Sequence, residues 1–205
     1  MTQQNSPFET LINDLCLKGF TTCENFLPAE TIKSLADIAR ARHAHGEMHG
    51  AKIGKSNKIS NLDIRGDAID WLDENDPDTC IQTYFSKMHA LKQTINQNLF
   101  MNLHTLETHM AIYPIGNVYK KHLDQFANGE NTRELSCILY LNEDWQTDDG
   151  GELRLYLDEN HIDILPVGGK LVLFLSAKFW HEVLPAKQPR VSLTGWFNTP
   201  KNLLL

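Results

Sequence analysis

H-T-L-E-T-H-M-A-I-Y-P-I-G-N-V-Y-K-K-H-L-D, residues 104–124, is where the chain changes texture. Before it, apolar residues recur at helical spacing. From it onward they fall into short alternating or continuous runs at 106–113, 118–123, 134–141, 151–157, 161–165, 170–175, 179–184 and 190–197. Asn128-Gly129, Asp149-Gly150-Gly151 and Gly168-Gly169 separate several of these runs and suit tight turns. Many short strands with turn residues between them predict a closed or double-sheet antiparallel core of the jelly-roll type.

The same stretch ends in His122-Leu123-Asp124. On a strand, residues i and i+2 point to one side, so His122 and Asp124 can face a common interior and chelate one ion. His181 lies in a later run, W-H-E-V-L, which barrel closure can bring opposite. Two imidazoles and one carboxylate form the ligand set that holds non-haem Fe(II) with open positions. Alone, an H-x-D pair equally describes a surface histidine beside a carboxylate. Arg190, in R-V-S-L-T-G-W, adds the missing information. A turn across 185–189 returns its strand beside that of His181, and a guanidinium there takes a carboxylate through two parallel hydrogen bonds. A keto dicarboxylate fits, chelating metal at one end and meeting Arg190 at the other. Period two puts Arg190, Ser192, Thr194 and Trp196 on one face, while Tyr113 and Tyr140 are hydroxyl candidates on neighbouring strands or packed core residues.

Upstream, Phe8, Leu11, Ile12 and Leu15 predict a helix stopped by Gly19. A second helix starts at Pro28, suited to a first helical turn, and shows Ile32, Leu35, Ala36 and Ala39 on one face. Residues 46–62, with Lys52, Lys55 and Lys58, read as a polar loop and a candidate lid. A third helix begins near Asp76 or Pro77 and carries Ile81, Phe85, Met88, Leu91 and Ile95. His43, His45 and His49 sit at a helix end and read as a solvated loop. The fold class expected is α+β, mainly β, a double-stranded β-helix (jelly-roll) core supported by N-terminal helices. It forms one domain over 1–205, with helical support and a substrate-covering loop at 1–100 and the catalytic core at 101–199.

At 205 residues and 41% apolar content, the chain supports one sizeable core. Its formal net charge of −7 argues against a nucleic-acid partner, because phosphate binding needs clustered Lys and Arg. No apolar run approaches the roughly 18 residues that span a bilayer, and M-T-Q-Q-N-S-P-F-E-T has no signal-peptide pattern. The expectation is therefore a cytoplasmic, monomeric protein with no membrane partner. Cys16, Cys23, Cys80 and Cys137 lack C-x-x-C spacing and are expected to be mostly buried thiols.

Taken together, the motifs resemble the Fe(II)- and 2-oxoglutarate-dependent dioxygenases. Within them, they are similar to the prolyl 4-hydroxylases of the hypoxia-inducible-factor type and their bacterial counterparts. Y-P-x-G-N at 113–117, Y-K-K-H-L-D at 119–124, Y-L-N-x-D-W at 140–145, G-G-x-L-R at 150–154, H-E-V-x-P-A at 181–186 and R-x-S-x-T-x-W at 190–196 carry the resemblance. So does I-R-G-D-x-I-x-W at 64–71, outside the iron core. The resemblance covers roughly residues 45–197.

It implies that His122, Asp124 and His181 bind Fe(II), and that Arg190 and Tyr140 share the far carboxylate of 2-oxoglutarate. Tyr113, Thr194 and Trp196 would line the cosubstrate pocket, while Arg65 and Asp67 organise a loop over a peptide substrate. The implied reaction consumes O2, converts 2-oxoglutarate to succinate and CO2, and hydroxylates a prolyl C4, with ascorbate keeping the iron reduced. The partner implied is a cytosolic protein with an exposed proline loop, a translation factor being one candidate. Two departures stand out. Q-F-A-N-G-E-N-T-R at 125–133 is about two residues longer than in the animal relatives, and His109 shares the Tyr113 face where they carry an apolar residue. Two other functions remain open at this point, oxidation of a small molecule or free amino acid and a non-catalytic, metal-binding or oxygen-responsive interaction protein.

Overall fold

The computed structural model describes residues 7–51, 64–125 and 132–200. Most of the candidate lid, including Lys52, Lys55 and Lys58, lies outside the described residues, as do the Asn128-Gly129 turn and most of the long 125–133 connection.

Among the described residues, three helices precede the main β region: α1 (Pro7–Lys18), α2 (Ala29–Ala44) and α3 (Thr79–Leu99). Helix α1 stops where expected, at Gly19, whose φ of 81° lies in the left-handed region. Helix α2 starts one residue later than the sequence implies, with Pro28 at the cap rather than inside the first turn. Helix α3 starts past Pro77 because Asp78 is the residue whose carboxylate accepts the backbone N–H groups of Cys80 and Ile81, at 2.8 and 3.2 Å. Asp76 is committed elsewhere. Its second oxygen accepts from Arg42, which also donates to Asp70, both at 2.7 Å.

The strands are β1 (Phe20–Cys23), β2 (His49–Gly50), β3 (Ala68–Trp71), β4 (Thr105–Tyr113), β5 (Tyr119–His122), β6 (Arg133–Tyr140), β7 (Leu153–Tyr156), β8 (His161–Ile164), β9 (Leu171–Leu175), β10 (His181–Val183) and β11 (Arg190–Asn198). A seven-stranded sheet runs β1-β9-β6-β11-β4-β3-β2, and a four-stranded sheet runs β5-β10-β7-β8. All pairings are antiparallel. The predicted runs from 106 to 197 all contain strands. The first three strands were not expected, and they extend the larger sheet at both edges.

Strict alternation divides the larger sheet into two faces. Leu135, Cys137 and Leu139 of β6, Leu171 and Leu173 of β9, and Val191, Leu193 and Phe197 of β11 pack with the helices' Leu35, Ile81, Met88 and Leu91. The alternate residues Ile138, Tyr140, Val172 and Phe174 meet Leu153, Leu155 and Ile164 of the smaller sheet. Strands covered on both sides need apolar residues at nearly every position, which is why these runs read as continuous rather than alternating.

Asn142 staples the layers. Its carbonyl oxygen accepts the Val191 N–H and its amide donates to the Pro166 carbonyl, both at 2.7 Å. Gly168 is required nearby, since a Cβ there would lie 2.5 Å from the Asn142 backbone oxygen. The cysteine expectation is corrected: Cys137 is buried, but Cys16 is exposed and Cys23 and Cys80 are intermediate, and all four are free thiols. The last two sit on helix or strand positions at the edge of the core rather than within it. No helix among the described residues is long and apolar enough to cross a membrane.

Leu193 is 0% and Leu17 is 82% exposed. Leu193→Ala is therefore expected to lower the unfolding free energy by about 2–5 kcal/mol, while Leu17→Ala changes it by less than about 0.5 kcal/mol. Urea titrations of both variants check this ordering.

Candidate active site

Strands β5 and β10 place His122 directly opposite His181. Strand β5 ends at His122, so Asp124 follows just beyond it rather than on the same strand as expected. It nevertheless turns inward, with its carboxylate oxygens 3.7 Å from His122 Nε2 and 3.5 Å from His181 Nε2. One ligand atom from each residue lies within 4.8 Å of the others.

The two imidazoles are oriented by the backbone. His122 Nδ1 lies 2.7 Å from the Lys120 carbonyl and His181 Nδ1 lies 3.0 Å from the Phe179 carbonyl. A carbonyl can only accept, so each Nδ1 carries the proton and each Nε2 offers a lone pair to the site. Tyr119 stacks on His122 at 3.5 Å between ring centroids, and Phe174 meets His181 edge-on at 4.7 Å. Ser136 donates to Asp124 Oδ2 at 2.7 Å and is itself 2.9 Å from Ser176 Oγ.

Burial would raise the Asp124 carboxyl, but the neighbouring His181 and His122 and the Ser136 hydroxyl outweigh it and hold the group below its ordinary value. Burial, reinforced by His181, pushes the His122 imidazole down. An anionic Asp124 carboxylate beside a His122 imidazole held in its neutral form suits a divalent metal. The donor set fits Fe(II).

Arg190 opens β11 with 1% exposure. Its Nε donates to the Gly151 carbonyl at 3.0 Å, and its guanidinium carbon sits 5.2 and 5.0 Å from the ring centroids of Tyr113 and Tyr140. No carboxylate pairs with it among the described residues. The Tyr140 hydroxyl is buried beside it and, among the described residues, has no well-formed hydrogen bond. A buried cation flanked by an unsatisfied phenol calls for an anion, and 2-oxoglutarate supplies one. Gly151 makes room: at φ 73°, a Cβ there would lie 2.9 Å from Ala186 Cβ and 3.4 Å from Arg190 Cδ.

The cavity between these ends is lined by Arg65, His109, Tyr113, Tyr119, Thr194 and Trp196, together with the metal-site residues and Arg190. Arg133 lies 3.6 Å above the Trp196 ring while donating to Glu107 at 2.6 Å, which pins the indole as a wall. Arg65 grips Asp67 through two hydrogen bonds of 2.8 and 3.0 Å and lies 4.7 Å from the Tyr119 centroid. The Asp67 side chain has no exposed surface, so it acts through Arg65 rather than by touching an incoming molecule.

Sequence reasoning missed Tyr119 and Ser136. Ser136 was accessible in principle, because period two from Tyr140 puts Ile138 and Ser136 on the interior face. The role of Tyr119 depends on ring stacking that no spacing rule reports.

Ser136→Ala is expected to weaken divalent-metal affinity by about 10- to 100-fold, as for other groups that orient a ligand, and His181→Ala to abolish it. Anaerobic Fe(II) titration distinguishes the two. Burial, with Arg65 and Arg133 nearby, lowers the His109 pKa to about 3. The unfolded chain therefore binds a proton that the folded chain refuses between about pH 6.5 and 3. Stability from this group is complete above that window and is lost as pH falls through it. His109→Leu should flatten the slope of unfolding free energy against pH by up to about 1.4 kcal/mol per pH unit, measured by denaturant titration of the metal-free protein.

Residues 108–198 match the model of the 2OG-Fe(II) oxygenase superfamily. The chain is 33% identical over 188 residues to human Egl nine homolog 1, covering 87% of this chain and 43% of that protein. It spans about half the length of the Egl nine homolog 1 proteins that it matches. A crystal structure of a Pseudomonas putida prolyl-4-hydroxylase superposes with a TM-score of 0.85 at 42% identity, covering 94% of this chain and 99% of that one. A Trichoplax adhaerens prolyl hydroxylase, solved with a hypoxia inducible factor oxygen degradation domain peptide, also gives 0.85, at 27% identity over 93% and 88% of the two chains. At 42% identity over 94% of its length to the Pseudomonas putida prolyl-4-hydroxylase, the chain belongs to the prolyl hydroxylase family of the 2OG-Fe(II) oxygenase superfamily.

Proposed function

We propose that this protein is a prolyl 4-hydroxylase that uses Fe(II), O2 and 2-oxoglutarate to oxidise a proline in a cytosolic protein. The observation that carries the reading is the buried Arg190 guanidinium, without a carboxylate partner among the described residues, across one cavity from His122, Asp124 and His181.

Each residue then has a task. His122, Asp124 and His181 would hold the metal, their lone pairs directed by the Lys120 and Phe179 carbonyls and by Ser136. Arg190 would clamp the far carboxylate of 2-oxoglutarate through parallel N–H donors, with the Tyr140 hydroxyl donating beside it. Tyr113, Thr194 and Trp196 line the remaining space and keep water out, which limits side reactions. Bound Fe(II) would supply oxygen activation coupled to decarboxylation of the keto acid. One oxygen atom enters succinate and the other the prolyl C–H bond, with CO2 released. Ascorbate would serve as reductant for iron oxidised off cycle.

A peptide substrate is supported by the Trichoplax relative, which is bound to a peptide, and by the half-exposed Trp71 at the strand that leads from Arg65 and Asp67. We propose a monomer acting in the cytoplasm on an exposed proline loop, with a translation factor as one candidate target.

Purified protein given Fe(II), 2-oxoglutarate, ascorbate and a pool of cytosolic peptides should add one oxygen atom to proline and release succinate above the peptide-free rate. Arg190→Lys should raise the 2-oxoglutarate requirement by about 10- to 100-fold, the loss expected for a hydrogen-bonded buried charge pair. Hydroxylation of free proline without any peptide product, read by mass spectrometry, would overturn the protein-substrate assignment.

A further inference from the structure

His109 is a buried polar side chain in the cavity that has no task in the mechanism above. It is 1% exposed, and among the described residues neither Nδ1 nor Nε2 has a hydrogen-bond partner. Its ring clusters with two indoles, its centroid 4.9 Å from Trp71 and 5.6 Å from Trp196, which are themselves 6.3 Å apart. Burial and the nearby Arg65 and Arg133 keep it neutral at ordinary pH, so the ring offers one N–H and one lone pair. Buried polar groups are nearly always paired, so one left unpaired on a cavity wall points to a partner from outside the chain.

Strand register identifies that partner. Reading the interior face of the larger sheet in rungs, Ser136 lies beside Trp196 and Trp196 beside Glu107. The next rung is Ile138, Thr194, His109 and Trp71. Then come Tyr140, Ser192 and Ala111, and last Arg190 beside Tyr113. Rungs on one face are about 6.6 Å apart. Ser136 holds Asp124 at the first rung, while the Arg190 guanidinium reaches back over the third, 5.0 Å from the Tyr140 ring centroid. A five-carbon dicarboxylate held there lies over the small Ser192 and Ala111 and brings its metal-side carboxylate towards the His109 rung.

We propose that His109 donates its ring N–H to the carboxylate of 2-oxoglutarate that lies at the metal end, as a cosubstrate-binding residue complementary to Arg190. The inference rests on the cosubstrate reading above. The hydrogen bond is made beside Trp71 and Trp196, whose rings pack on the imidazole. Neutrality matters here, because an imidazolium would repel the metal cation.

The test is calorimetric titration of 2-oxoglutarate into Zn(II)-loaded protein, which binds without turnover. His109→Leu should weaken 2-oxoglutarate about tenfold, equivalent to ~1.4 kcal/mol, with Zn(II) affinity unchanged within about twofold. His109→Asn, which retains an N–H donor, should recover part of the loss. In the wild-type protein with 15N-labelled histidine, a ring N–H signal missing from His109→Leu should shift and exchange more slowly with solvent when 2-oxoglutarate is added. If His109→Leu does not fold, this wild-type measurement decides alone, and an unchanged set of signals overturns the proposal. Unaltered 2-oxoglutarate affinity in His109→Leu, a parallel loss of Zn(II), or an effect confined to the KM for peptide would each overturn it as well. Arg190→Lys separates the two layers: if it also leaves 2-oxoglutarate affinity unchanged, the cosubstrate reading fails, whereas a loss in Arg190→Lys alone defeats only the role of His109.

Discussion

Strand β11 is buried on both faces, and the architecture is organised around that constraint. Its odd-numbered apolar residues Val191, Leu193 and Phe197 anchor the sheet to the helices, while Arg190, Thr194 and Trp196 form the floor of the cavity. A slip of one residue would exchange the two sets, driving a guanidinium into the helix core and leucine into the site. Registry is therefore guarded on both sides. β4 and β6 pair with β11 along most of its length, and Asn142 fastens its second residue by a side-chain bond to the Val191 backbone. Gly195 contributes as well, since a Cβ there would lie 2.7 Å from the Glu107 carbonyl of the neighbouring strand.

The cost of this arrangement is concentrated in Arg190. A buried guanidinium without a carboxylate is unfavourable for folding unless surrounding dipoles and rings compensate. The Gly151 carbonyl and two phenol faces do so in part. What remains uncompensated is available to a ligand, so the affinity of the site for an anion and the instability of the empty pocket have the same origin. His109 and the Tyr140 hydroxyl extend this pattern, each a buried polar group without a well-formed hydrogen bond among the described residues. Such groups are a liability in a purely structural core and an asset where a small polar molecule is meant to enter.

Much of this was legible in the sequence because it follows period two. The residues His122 and His181, the shared face of Arg190, Thr194 and Trp196, and the strands from 106 onward follow from alternation and turn residues. Asp124 shows where that rule stops: it reaches the site from beyond the end of β5, through a bend that alternation does not describe. Strands β1, β2 and β3 escaped for a different reason. They are isolated among helices and loops rather than in a series of turn-separated runs, and β1 and β3 take their place from the distant partners β9 and β4. The start of α3 was misplaced by about one half-turn because two carboxylates competed to cap it. Asp76 was diverted by Arg42, and that diversion is a tertiary effect invisible to local propensity.

The N-terminal region is also more than support, because it reaches the metal site through a chain of contacts. Asp67 holds Arg65 in a bidentate pair, Arg65 lies over Tyr119, and Tyr119 stacks on His122. Asn117 donates to the Gly66 carbonyl at 2.6 Å, and a Cβ on Gly66 would fall 2.7 Å from that same amide. The glycine between Arg65 and Asp67 thus lets the segment dock tightly onto the loop ahead of β5. From Asp67 the chain runs directly into β3, where Asp70 is clasped by Arg42 of α2 and Trp71 packs against His109. Displacement of residues 64–71 would therefore act at two points, loosening the stack on His122 and moving the aromatic wall beside His109. Each contact is short and made by enclosed or half-enclosed groups, so the metal ligands and the cavity wall are constrained by the same eight-residue motif that sequence reading singled out.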